Sequence, residues 1–210
     1  METPQAIQEI RVLGGNLALD LVNTRDTGPD GEPGFDRLVD YQHLLAWAQR
    51  IGLLSQREAD EAARRSAQTP EEAAAALQRI RALRSDIYEV FEAIAQDRNP
   101  PQSSLRRLSH LHGDATARGL LVRQGDAFGW DWSNSEELDR MLWPVVHAAV
   151  QLLTSGDLER IKRCGRCSWL FLDATKNRSR RWCSMEGCGT HEKSERFVAR
   201  RRAQRQTPSS

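Results

Sequence analysis

Cys164-Gly-Arg-Cys167 and Cys183-Ser-Met-Glu-Gly-Cys188, two close cysteine pairs fifteen residues apart, decide how the C-terminal quarter of the chain must fold. A pair two residues apart can bend as a knuckle that turns both sulfurs toward one ion, and two pairs at this separation match the four-cysteine zinc pattern. Cys164, Cys167, Cys183 and Cys188 are therefore expected to hold one structural Zn2+. Four thiolates complete a tetrahedral set and leave no position for a substrate or an activated water. Inert buried cysteines or a redox pair are the competing explanations, and having all four at metal spacing favours zinc. His191, three residues past Cys188, is a weaker ligand candidate because the cysteines already suffice.

Between the pairs, Trp169-Leu-Phe-Leu172 is an apolar run ended by Asp173, Lys176-Asn177-Arg178 can turn, and Arg180-Arg181-Trp182 leads back to the second pair. The insert reads as a hairpin, with Trp169 and Trp182 packing its interior. So few apolar residues cannot close a core unaided, whereas zinc can contribute on the order of 10 kcal/mol to folding such a module.

Upstream, the punctuation is helical. Asn16 can cap a short helix after Gly14-Gly15, and residues 25–37 follow as a polar, Gly/Pro-rich loop. Asp40 can cap a helix that buries Leu44, Leu45 and Trp47 and stops at Gly52. Ser55 with Glu58, and Thr69-Pro70 with Glu72, spell two capping boxes. The second opens the main core helix, in which Leu77, Ile80, Leu83, Ile87, Val90, Phe91 and Ile94 recur at helical spacing to about Gln96. A helix carrying Leu105, Leu108 and Leu111 comes next, then a hairpin about Gln124-Gly125-Asp126. The spacing predicts a last long helix over 135–154, kinked at Pro144. The fold class is thus mainly α: residues 1–156 form a helical domain with a small β-hairpin, and 157–206 a zinc-ribbon or treble-clef-like finger with a basic C-terminal helix. Thr207-Pro-Ser-Ser is expected to be disordered.

The 210 residues carry a formal net charge of +1, which conceals a division. From Glu159 to Gln206 there are 14 Lys+Arg against 5 Asp+Glu, while the remainder of the chain is net acidic. Zinc with four thiolates removes only about two of those positive charges, so the field survives metal binding. A localised positive field attracts polyanions, so any nucleic-acid contact is expected at this end. Lys193, Arg196 and Arg200 share one face of the terminal helix, and Arg178, Arg180 and Arg181 of the hairpin can support them. Exposed stacking aromatics are few, which favours double-stranded DNA over RNA as the partner. The N-terminal Met-Glu-Thr-Pro-Gln lacks a signal-peptide pattern and no stretch is apolar enough to span a bilayer, so a cytoplasmic protein is expected, without membrane contact.

Residues 157–202 resemble the CGNR zinc finger of bacterial transcription regulators, most specifically through Arg178-Ser-Arg-Arg-Trp-Cys-Ser-Met185. The usual Cys-Gly-Asn-Arg is here Cys188-Gly189-Thr190-His191, and the first pair is closer together than in most members. Residues 12–150 resemble the accompanying ABATE domain, through Gly14-Gly15-Asn16-Leu-Ala-Leu-Asp20-Leu-Val-Asn23-Thr24 and the helix from Tyr41 to Trp47. The resemblance implies a DNA-binding regulator whose helical domain senses a small-molecule effector or a partner. Asp20, Asn23 and Thr24 match the ABATE motif and are candidate ligand residues, with capping and loop anchoring the simpler explanation. An adaptor whose finger binds an acidic protein surface is the alternative. No nucleophile sits with a base and no phosphate loop is present, so an enzyme is not expected.

Overall fold

Asn16 starts the first helix, α1 (Leu17–Val22), in the way its side chain allows: its carbonyl oxygen accepts the Ala18 N–H at 2.9 Å. The computed structural model describes residue 7 and residues 10–27 and 33–206, so the terminal Thr207-Pro-Ser-Ser lies outside the described residues. Asp40 caps α2 (Tyr41–Arg50) through the His43 N–H, and Gly52, with φ +76, turns the chain after it. Ser55 and Glu58 form the expected box at the start of α3 (Gln56–Gln68). Thr69 does not form the second one. Helix α3 runs almost directly into α4 (Pro70–Ala95), and the Thr69 hydroxyl donates backward to the Arg65 carbonyl instead of capping forward.

Helix α4 is the axis of the core. Ile80, Leu83, Ile87, Val90 and Phe91 are at most 1% exposed, packed among α1, α2, α5 (Gln102–Arg118) and α6 (Leu142–Ser155). The last helix is shorter than its apolar pattern predicts. Residues 135–137 are irregular and 138–141 form a turn; here the Arg140 guanidinium donates to the Ser133 and Ser135 carbonyls and Tyr41 donates its hydroxyl to the Leu138 carbonyl. Pro144 then falls in the first turn of α6, where a backbone N–H has no acceptor within the helix, so the expected kink has no cause.

Among the described residues, three two-stranded ladders accompany the helices. The predicted hairpin is β3 (Leu120–Gln124) with β4 (Ala127–Asp131), joined at Gly125, whose φ is +63. The stretch expected as a loop instead contains β1 (Arg25–Thr27) and β2 (Pro33–Asp36). Their pairing is anchored from the core: Arg84, 4% exposed, donates to both carboxylate oxygens of Asp36 and to the Thr24 hydroxyl. Burying that guanidinium is tolerable because its charge is matched and its donors are engaged.

The third ladder lies in the C-terminal part, where β6 (Leu170–Leu172) pairs with β5 (Ile161–Arg163) ahead of the first cysteine pair. The expected partner for the apolar run was the returning segment at 180–182. That segment is irregular, because Asp173 accepts the Arg180 N–H and Gly165 N–H donates to the Arg181 carbonyl, which leaves no register for a ladder. Helix α7 (Thr190–Gln206) ends the described chain. Among the described residues no helix is long and apolar enough to cross a membrane.

Strand β6 also joins the two parts of the molecule. Successive strand residues point to opposite faces, and here Leu170 enters the helical core with Ile161 while Phe171 enters a smaller cluster with Trp169, Cys164 and Cys183. Asn23, 1% exposed, donates to the Leu170 carbonyl at 2.9 Å and accepts the Leu170 N–H at 3.0 Å. Trp169 Nε1 donates to Asp26, and the Leu172 N–H to the Gly14 carbonyl.

Candidate metal centre and basic helix

The cysteines come from three pieces of backbone that the finger brings together. Cys164 and Cys167 lie in the knuckle between β5 and β6, Cys183 on the returning segment, and Cys188 in a single π-helical turn (Met185–Gly189) that leads into α7. Ser184 caps that turn through the Gly187 N–H, and the Thr190 hydroxyl donates to the Met185 carbonyl, so the backbone around Cys188 is fixed from both sides.

All four sulfurs lie within 4.8 Å of one another. Cys167 to Cys183 and Cys183 to Cys188 are 3.7 Å apart, and Cys188 to Cys167 is 3.8 Å. A tetrahedron of sulfurs about 2.3 Å from zinc has edges of about 3.8 Å. The thiols therefore stand where zinc ligands stand, too far apart for a disulfide and spaced for one ion. Cys164 also accepts the Cys183 N–H at 3.4 Å, the amide-to-sulfur bond that steadies a ligating thiolate. The thiols titrate as a set: hydrogen bonds from Cys167 and Cys183 hold Cys164 down, contact with Cys164 pushes Cys167 up to about 12 and raises Cys183, and burial raises Cys188. Four packed thiolates repel one another, and a divalent cation at their centre is what permits all four to ionise. The protein thus has one structural zinc site, and the expected ligand set is the one the fold assembles. His191 is exposed and outside it.

The six basic residues singled out in sequence fall into two groups. On the finger, Arg178 pairs with Asp157 and Glu159, and Arg180 donates to the Trp182 and Cys183 carbonyls while its guanidinium lies 4.3 Å from the centre of the Phe171 ring. Arg181 lies over the Trp182 ring at 5.3 Å. On α7, Lys193, Arg196 and Arg200 are exposed, Arg196 holding an i,i+4 pair with Glu192. The residue that organises this helix, Arg166 in the knuckle, was not singled out. It donates to both oxygens of Glu195 at 2.6 Å and lies 3.9 Å from Glu192, so two acidic residues of α7 are held against the metal knuckle. The lone arginine between two metal ligands was the available signal.

Asp20, Asn23 and Thr24 are anchors in this structure. Asp20 accepts the Gly14 N–H at 2.8 Å, so close that a Cβ on Gly14 would sit 2.8 Å from the carboxylate oxygen, and Gly15 has φ +72. Both glycines before Asn16 are thereby required. Burial, the largest influence on Asp20, raises its pKa, opposed by hydrogen bonds from Gly14 and Leu13. Thr24 donates to the Leu21 carbonyl and accepts from Arg84, and Asn23 clamps β6 as described.

Comparison with known families agrees with both halves of this picture. Residues 15–156 match the ABATE family model, described as "putative stress-induced transcription regulator", and residues 160–201 match the CGNR zinc finger. Comparison with curated proteins gives no match. Since the first model covers more than half of the chain and the metal geometry meets the second, the chain belongs to the ABATE family and carries a CGNR zinc finger at its C-terminal side.

Proposed function

We propose that the protein is a cytoplasmic, non-enzymatic, DNA-binding transcription regulator in which α7, mounted on the zinc finger, lies along the phosphates of duplex DNA. The observation that carries this reading is the arrangement of charge on α7. Glu192 and Glu195 are held toward Arg166, while Lys193, Arg196 and Arg200 face solvent on a helix rigidly continued from a metal ligand. Phosphate contacts need exposed donors: among the described residues, Lys193 and Arg200 carry charge that no ion pair on the helix offsets, and Arg196 must exchange its exposed pair with Glu192 for a phosphate. Arg181, exposed over the Trp182 ring, adds a further positive charge on the finger, and Arg178 and Arg180 serve the finger's own structure, since their guanidinium groups are engaged within it. The domain division at 156/157 separates a sensing part from this contact, and effector or partner recognition belongs to the former.

The test is duplex binding by zinc-loaded protein across a salt series. Replacing Lys193, Arg196 and Arg200 with Ala is expected to weaken binding to every duplex sequence and to reduce the salt slope by about 0.9 per lost contact, with zinc content unchanged. A triple variant that binds as tightly and with the same slope as the parent overturns the role of α7. If the parent itself binds no duplex at low salt, an acidic protein partner becomes the better reading of the same surface.

A further inference from the structure

The seam between finger and helical domain is not closed throughout. A cavity of about 220 Å3 lies in it, lined by Val22, Arg25, the α4 residues Arg84, Ser85 and Tyr88, and, from the finger, Ser168. Ser168 is 2% exposed and directly follows the metal ligand Cys167. A molecule in this cavity would touch both parts of the protein at once.

The charge around it is unbalanced. The lining residue Arg84 already occupies both oxygens of Asp36, which is not itself on the lining, and Arg81 stands 3.8 Å from that carboxylate. Arg25 is opposite Asp36 in the β1–β2 ladder and has no ion-pair partner among the described residues. Burial would raise the Asp36 pKa, yet hydrogen bonds and charge from Arg84 hold it below the ordinary value, so the carboxylate stays ionised and paired with Arg84. Glu89, also on the lining, keeps its negative charge, but the Ser104 hydroxyl of α5 donates to its carboxylate and orients it toward α5; Arg25, Arg84 and Arg81 against Asp36 and Glu89 still leave one positive charge in excess. The remaining wall, Val22 and the Tyr88 ring, is largely apolar. A cavity of roughly 150 Å3 accepts benzene, so this one has room for a ring or a branched chain plus one polar group.

We propose that this cavity binds a small organic monocarboxylate with a compact apolar body. The carboxylate sits on Arg25 at the side where Arg84 adds positive potential, and the body packs on Val22 and Tyr88. The inference deepens the regulator reading and rests on it for its consequence: the acid is the effector, and by contacting Ser168 it strengthens the docking of the finger that carries α7. A ligand that binds only the docked arrangement stabilises that arrangement by mass action.

The experiment uses the full zinc-loaded chain without DNA, so its outcome is independent of duplex binding. Benzoate and isovalerate are titrated calorimetrically beside their neutral counterparts, benzamide and isovaleramide. The acids are expected to bind and the amides to bind at least about tenfold more weakly, because the amide cannot form the charge-assisted bond to Arg25. Arg25→Gln is expected to weaken acid binding by about ten- to a hundredfold. Ser85→Trp, at an exposed position of α4 where the helix tolerates a larger side chain, is expected to fill the cavity and abolish binding. Benzoate is further expected to slow hydrogen exchange of the finger amides at 168–172. Absence of binding by both acids, equal binding of acids and amides, or unchanged affinity in Arg25→Gln overturns the proposal. Loss of duplex binding with acid binding intact overturns the regulator reading alone.

Discussion

Replacing Asn23 with Ala tests the seam at its most buried polar contact. The asparagine is 1% exposed and exchanges two hydrogen bonds with the backbone of Leu170, a residue whose own side chain is fully buried. The substitution strands a buried N–H and a buried C=O, each costing about 1–3 kcal/mol, so a loss of about 2–5 kcal/mol is expected once some relaxation is allowed. For a chain of this size about 2–4 °C accompanies each kcal/mol, which places the fall in melting temperature at roughly 5–15 °C. Asn23→Asp separates the two bonds: it can still accept the Leu170 N–H but no longer donates to the carbonyl, and it adds a buried charge. It is therefore expected to be no better than Asn23→Ala at neutral pH and to recover as its carboxyl protonates. Denaturation followed by circular dichroism, with zinc content measured in parallel, gives the values. An Asn23→Ala variant within about 0.5 kcal/mol of the parent would show that the finger is not held through this clamp and that the seam carries little energy.

Other expectations follow from the same contacts. Cys183→Ser is expected to lose zinc and to unfold residues 164–188; because Ile161 and Leu170 belong to the helical core, the helical domain should remain helical but melt at a lower temperature. Equal melting of parent and variant refutes that coupling. His147 packs on Trp130 and Trp132 with its Nδ1 3.1 Å from His112 Nε2, and burial, then the His112 charge, hold its pKa below the ordinary 6.5. The unfolded chain takes that proton more readily, so this contribution is complete above about pH 6.5 and is lost as pH falls below that value through the lower folded pKa. His147→Gln should flatten the stability profile there, and an unchanged profile counts against the assignment. Asp20→Asn keeps an acceptor for the Gly14 N–H while removing a carboxylate whose burial raises its pKa, so it is expected to leave the melting temperature unchanged or raise it at neutral pH. A marked fall would mean that the charge itself is needed.

Much of this was legible in the sequence because it is local. Caps at Asn16, Asp40 and Ser55 act over three residues, the α4 core repeats at helical spacing, and the metal pairs announce themselves by their intervals. What was not legible is set by partners distant in sequence. Residues 25–37 read as loop because nothing near them reveals Arg84, which holds β2 from 48 residues away. The strand at 170–172 was legible, but its partner was not, since pairing with 161–163 is decided by Leu170 and Ile161 sharing the helical core. Pro144 shows the reverse error: its local meaning depends on where the helix begins, and contacts of Arg140 and Leu138 set that boundary. Asn23 was legible as a motif residue, but its role as a clamp depends on a backbone 147 residues downstream.

Everything proposed for α7 and for the seam depends on the four sulfurs closing on one ion, and X-ray absorption at the zinc edge measures that closure directly. For protein purified without chelator, one zinc per chain is expected, surrounded by four sulfurs at about 2.3 Å and no nitrogen or oxygen in the first shell. A zinc content near zero, or a shell containing imidazole nitrogen or water oxygen in place of a sulfur, would contradict the account at its base.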